Sequence, residues 1–405
     1  MQNRRADAAL LGEKALAIAK DAGNVVLQPL LLMNLGVTYE ALGDRPRAAD
    51  YYLQSSKLYE ALGDQPRAAE NQANRGALLI QFSATPEEGL RNVQNALAVA
   101  RTLGNKTFEV LCLNMIASHY LNVGRHADAE RTFNQALAVA RERELQDAIF
   151  GTTAIHIKHA SAKVLIGDYM GARDILSNVL RTSGTTNDDL EAVILMAQVD
   201  AHVGDFDAAR AGVRRAAPRL ESGERALTPL LHLVAGEVEY EAGRYQDARK
   251  WFTQAADLWN DDLPDVASVK ARAYLGLLDA LDGRLQGRRA LETSLAHAQK
   301  VGRLPLEAFC RVLLARIDIA ERKFDDALRM LQPIPPDDAE RTIGAELRAQ
   351  VHYWQMQALT GRGDNAKAQV EVQAARRAIE TLRSSLSTSY RTTFTNRPDI
   401  RRIVG

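Results

Sequence analysis

Cysteine is almost missing from this chain: Cys112 and Cys310 are the only two in 405 residues. Two thiols so far apart make no disulfide framework and no thiolate metal cage. Both lie in apolar helical context and read as small buried hydrophobes. Aromatic residues are only 6% of the sequence, with 3 tryptophans. Net charge is missing too, because 51 Lys and Arg balance 51 Asp and Glu. A neutral chain gains no bulk attraction to polyanions, which argues against nucleic acid as a partner. No apolar run reaches the ~18 residues of a membrane span. Met1-Gln-Asn-Arg-Arg leads into an amphipathic stretch without a signal-peptide core, so a cytoplasmic protein is expected. Phosphate-cradling loops, dinucleotide fingerprints, and kinase and hydrolase signatures are all lacking, so no enzyme is expected. His156 and His159 are three apart on one expected helix, but no carboxylate or thiolate stands beside them, and no metal or cofactor is expected. What remains is 46% apolar and 25% charged residues, rich in Ala, Leu and Arg, which is the composition of a folded helical protein.

One pattern recurs along the chain. Gly43 is followed by Ala48, Tyr52 and Ser55, and Gly124 by Ala129, Phe133 and Ala136. Gly167, Gly204 and Gly243 repeat the same offsets with Ala172, Ala209 and Ala248. Weaker copies start at Ser83, Gly283, Arg322 and Gly361, the last with Ala366 and Val370. The step is about 40 residues, a period that signals stacked supersecondary units.

The unit has a physical reading. Seven residues before each turn stands a small residue: Gly36, Gly76, Ala117, Ala160, Ala197, Gly236, Gly276 and Ala315. Another small residue opens the helix after the turn. Small residues on both sides let two helices approach closely, and the turn glycine suits a left-handed cap. Each unit is an antiparallel helix pair with too little core to stand alone, so neighbours must stack into a solenoid. The expected fold is all-α. A half repeat over 1–23 and about nine helix pairs make one solenoid to residue 386, followed by a basic C-terminal tail over 387–405. From Arg376 onward seven arginines face only Glu380 and Asp399, and a solvated cap is expected there. Trp354 stands where the ninth unit's small residue belongs.

Asn34-Leu-Gly36-x-x-Tyr39-x-x-x-Gly43-Asp44-x-x-x-Ala48-x-x-x-Tyr52 resembles the tetratricopeptide repeat family, as does Ile116-Ala117-x-x-Tyr120-x-x-x-Gly124 with Ala129 and Phe133. The resemblance spans nearly the whole chain, in a long-helix form of about 40 residues per unit. It implies a right-handed superhelix of helix pairs whose first helices line a concave groove. Residues 4–22 match the second helix of a unit, which suggests a chain cut from a longer one with an effector domain upstream.

Carried onto this sequence, the family's groove positions are Asn34, Asn74 and Lys158. One turn along come Ser118, Ser161, Gln198, Glu237 and Arg316, and Asn114 lies one turn earlier. Asparagine both donates and accepts, which suits an extended peptide backbone. The other open reading has Asn34 packing against the next helix. Later units carry Leu195, Val234, Tyr274 and Leu313 instead, so the groove is not uniform. Glu237, Glu239 and Glu241 alternate along one helix and point to different sides, so they make no catalytic pair. The leading expectation is a non-catalytic scaffold for a protein or peptide, the regulatory region of a larger bacterial signalling protein. The alternative is a solenoid that senses a small metabolite and controls a fused transcription regulator or Ser/Thr kinase.

Overall fold

The computed structural model describes residues 2–82, 85–142, 152–182, 187–221, 227–258, 265–336 and 342–405. The described residues form 21 helices and no strand. None of these helices is long and apolar enough to cross a membrane. The turn expected at Ser83 lies outside the described residues.

The chain divides into two compact units where one continuous solenoid was expected. The first comprises Met1–Tyr120 and Asp128–Thr152 with Lys300–Gly302; the second comprises Leu121–Ala127, Thr153–Gln299 and Arg303–Gly405. In the first lie α1 (Gln2–Asp21), α2 (Leu27–Leu42), α3 (Arg45–Ala61), α4 (Gln65–Phe82) and α5 (Pro86–Thr102). Most of α6 (Lys106–Asn122) and α7 (His126–Glu142) belongs there too. The second unit begins with α8 (Thr152–Ile166), α9 (Tyr169–Thr182), α10 (Asn187–His202) and α11 (Phe206–Glu221). It continues with α12 (Thr228–Glu241), α13 (Tyr245–Ala256), α14 (Val266–Leu281) and α15 (Gln286–Lys300). Then come α16 (Leu304–Ala320), α17 (Phe324–Leu331), α18 (Ala345–Arg362) and α19 (Asn365–Ser385). Two short helices, α20 (Thr388–Asn396) and α21 (Pro398–Val404), end the chain.

The Gly-Asp turns end one helix and start the next. Gly43 has φ of 85°, and Gly124, Gly167, Gly204, Gly243 and Gly283 are also left-handed, a conformation that costs glycine little. Where an aspartate follows the glycine, it caps the second helix. Asp44 accepts from the Arg47 N–H at 3.2 Å, Asp168 from Gly171 at 2.9 Å, and Asp205 from Ala208 at 3.1 Å. The ninth turn falls at Gly363 rather than Gly361, which lies inside α18 against Phe324. Counting from Gly363 puts Ala368 and Ala375 at the packing positions, both buried, and leaves Val370 exposed. Met356, not Trp354, then holds the place seven residues upstream.

The small residues do what close packing requires. Gly36 lies against the Tyr52 ring and Gly236 against the Phe252 ring, and both rings are buried. Gly76 backs onto Gly89 and Val93. Cys112 and Cys310 are buried, and burial pushes both thiols up to about 12, so they act as hydrophobes.

Within the second unit the first helices α10, α12, α14, α16 and α18 pack in succession. One core joins Ile157, Ala160 and Tyr169 to Tyr353, Ile379 and Leu382, and Leu382 sits on the Gly167 turn. The row of pairs in this unit therefore returns on itself. Residues 387–405 fill part of the same core and are not a solvated tail. Phe394, Arg397, Ile400 and Ile403 are all buried. Their spacing of three to four residues is an amphipathic stripe, and its apolar members outweigh the excess of arginine.

Candidate functional site

In the first unit the asparagines sit on successive first helices. Asn34 on α2 is exposed, Asn74 on α4 is half-buried, and neither side chain bonds to another described residue. Asn114 on α6 has its Oδ1 buried without a donor. An unpaired buried carbonyl of this kind costs ~1–3 kcal/mol until something donates to it. Ser118 instead closes on its own helix, donating to the Asn114 carbonyl at 2.9 Å. Ser161 does the same to Ile157 at 3.1 Å, so neither hydroxyl is free to read a ligand. Lys158 on α8 is open to solvent yet crowded by protein. That desolvation lowers its ammonium pKa, with Glu191 working against the shift.

The second unit brings Gln198, Glu237 and Arg316 onto one face. Gln198 donates to Glu237 at 2.8 Å, and Lys270 reaches the other oxygen of Glu237 at 2.7 Å. This chain ties α10, α12 and α14 together. Arg316 on α16 donates to the Tyr240 hydroxyl on α12 at 2.5 Å, skipping the helix between. Tyr240 and Tyr274 pack there in a tilted pair with ring centroids 4.8 Å apart, and Phe309 meets Tyr274 edge-on at 4.9 Å.

Glu239 points away from Glu237 and Glu241, which stand one turn apart on the same side of α12. Glu239 belongs to a repeated stitch between neighbouring pairs. Arg173 pairs with Asp200, Arg210 with Glu239 at 2.9 Å, Arg249 with Asp279, and Arg288 with Asp318 at 2.6 Å. Each arginine sits early in a second helix, and each acid stands four residues before the next turn. Burial raises Asp200 and Asp318 above the ordinary carboxylate value. Burial also works to raise Glu239, but hydrogen bonds from Arg210 and Arg244 hold it below.

Glu241 turns toward the end of the chain. Glu241, His202 and Glu346 bring one potential ligand atom each within 4.8 Å, a set that could suit a metal ion. The Arg397 guanidinium supplies the cation there. It donates to Glu346 at 2.6 Å, to Asp399 at 2.8 Å and to the His202 carbonyl at 2.6 Å. Tyr169 also donates to Glu346, at 2.5 Å. Burial works to raise Glu346, but Arg397 and His202 bring its carboxyl down to about 2. Burial pushes Glu241 the other way, well above the ordinary value. Burial likewise lowers His202, whose ring stacks on Tyr169.

Residues 31–66 match the family model described as a tetratricopeptide repeat. The chain carries a tetratricopeptide repeat. No curated protein matches it in sequence. Among solved structures, NprR in complex with its cognate peptide NprX is similar in fold. The likeness covers 87% of this chain and 98% of that one, at 13% identity and a TM-score of 0.56. The apo form of the quorum sensor NprR from B. thuringiensis is similar over 89% and 99%, at 13% identity and a TM-score of 0.50. The matched tetratricopeptide stretch contains Asn34, Gly36 and Tyr52. Tetratricopeptide registration names Gln198, Glu237 and Arg316, which lie on one face of the second unit. It missed Lys270, Tyr240, the arginine stitch and the Arg397 cage. The stitch was readable as an arginine following the glycine and an acid four residues before the next one.

Proposed function

We propose that this chain is a non-catalytic repeat scaffold that binds a peptide or protein segment along the first helices of its first unit. The observation that carries the reading is the row Asn34, Asn74 and Asn114. It advances by about 40 residues each time, with Asn114 one residue out of register, and its side-chain amides bond to no other described side chain. Amides spaced one repeat apart can hold the backbone of an extended peptide, donating and accepting without regard to its side chains. NprR, similar in fold, binds a peptide. A regulatory place within a larger signalling protein belongs to the same proposal.

Peptides selected from a random display library on the full chain give the probe. Selected peptides should bind the Asn34→Ala, Asn74→Ala, Asn114→Ala variant at least tenfold more weakly by calorimetry. Equal affinity for the triple variant would sink the asparagine assignment.

A further inference from the structure

Many cations in the second unit have an acid partner. Arg173, Arg210, Arg249, Arg288 and Arg397 are all paired. Two arginines on one phenol cluster are not. Arg316 donates to the Tyr240 hydroxyl, and its guanidinium lies 4.9 Å over the Trp354 ring. Its Nε is buried with no acceptor, and among the described residues no carboxylate lies within ion-pair distance. Arg402 on α21 is exposed and reaches only the Tyr245 hydroxyl, at a long 3.5 Å. Tyr240 and Tyr245 touch edge to face with centroids 5.2 Å apart, so the two guanidiniums flank one pair of rings. Tyr353, 5.0 Å from Trp354, feels both: burial raises its phenol while Arg402 and Arg316 pull it back. The nearby acids are committed elsewhere. Asp399 is bound to Arg397 through both oxygens, and Glu237 is bound to Lys270 and Gln198.

We propose that Arg316 and Arg402, framed by Tyr240, Tyr245 and Trp354, form a binding site for a carboxylate. The Arg316 Nη that does not serve Tyr240 and the exposed Arg402 guanidinium present charged donors that a carboxylate fills with hydrogen bonds. The aromatic frame holds these donors in place and reduces competition from water. A repeat helix supplies one arginine and the C-terminal helix the other, so the site exists only while α21 is docked. It stands apart from the asparagine row and needs no part of it.

Calorimetric titration of the full chain with succinate, citrate and a peptide rich in glutamate tests this, with inorganic phosphate as comparator. At least one carboxylate should bind saturably, and more tightly than phosphate. Arg402→Gln, an exposed change that leaves the fold intact by circular dichroism, should weaken binding at least fivefold. Arg316→Lys, which keeps the charge and loses the guanidinium, should also weaken it. The asparagine triple variant should bind the same carboxylate unchanged, which separates this site from the peptide reading. Tight binding of succinate or citrate but not the peptide assigns the carboxylate to a small acid; the reverse assigns it to an acidic side chain. No carboxylate binding, tighter phosphate binding, or unchanged affinity in both arginine variants would overturn the proposal.

Discussion

Two glutamates in the Arg397 cage are shifted in opposite directions, and substitution separates them. Glu346 is held ionised at a pKa of about 2 by Arg397 and His202 against the pull of burial. Glu241 is pushed up by burial. Glu241→Gln replaces a carboxyl that burial drives toward its neutral form with a neutral amide of the same shape, so unfolding free energy should change by about 1 kcal/mol or less. Glu346→Gln removes the anion from a fully buried guanidinium and should cost ~2–3 kcal/mol. Urea denaturation of both variants checks the order, and a larger loss for Glu241→Gln would reverse the assignment. The pH dependence follows from the same shifts. Glu346 is depressed, so its contribution is present above its ordinary pKa near 4.5 and is lost as pH falls toward about 2. Glu241 is raised, so its contribution is complete below about 4.5 and fades as pH climbs through its folded value. Between pH 5 and pH 2, wild type should therefore lose more melting temperature than Glu346→Gln. Parallel curves would show that Glu346 is not ionised in the fold.

Helix pairs are held by contacts that leave no room for one methyl group. Gly236 on α12 lies against the Phe252 ring of α13, and that ring is fully buried. Gly236→Ala gains helix propensity, worth ~1 kcal/mol in an exposed helix. It also drives a Cβ into an aromatic ring that has nowhere to go, a strain of ~1–3 kcal/mol. Strain should win, and the variant should unfold at lower urea; a more stable Gly236→Ala would show that the pair can open without cost. This element was legible in the sequence because its signal is local. Gly236, Gly243, Ala248 and Phe252 stand within one turn-and-pair, and the offsets recur. The arginine stitch was only half legible, since Arg288 and Asp318 belong to neighbouring pairs 30 residues apart. The cage was not legible. Arg397 meets the His202 carbonyl across 195 residues and Glu346 across 51, and no period connects them. Counting arginines near the end of the chain predicted a solvated tail, whereas the stripe of Phe394, Ile400 and Ile403 decides the outcome.

At the scale of the molecule, a repeat protein transmits damage mainly to neighbours, because each pair contacts only those beside it. The second unit departs from that rule where α18 and α19 close on α8 and α9 and the last 19 residues lock the closure. Removing 387–405 takes Phe394, Ile400 and Ile403 out of the core, a loss of ~1.5–3 kcal/mol for each large side chain. It also leaves Glu346 buried without its guanidinium, which burial makes costly. A loss of several kcal/mol in a domain of this size should lower the melting temperature by ~10 °C or more. Hydrogen exchange should locate the damage: amides of α9, α10, α18 and α19 should lose protection, while α2 to α5 keep theirs. Arg397→Met keeps the apolar stripe and removes only the charge, so it should reproduce part of the loss over the same helices. Equal loss of protection in α2 to α5 would mean that the chain unfolds as one cooperative body. No loss in α18 and α19 would mean that the terminal helices merely rest on the second unit.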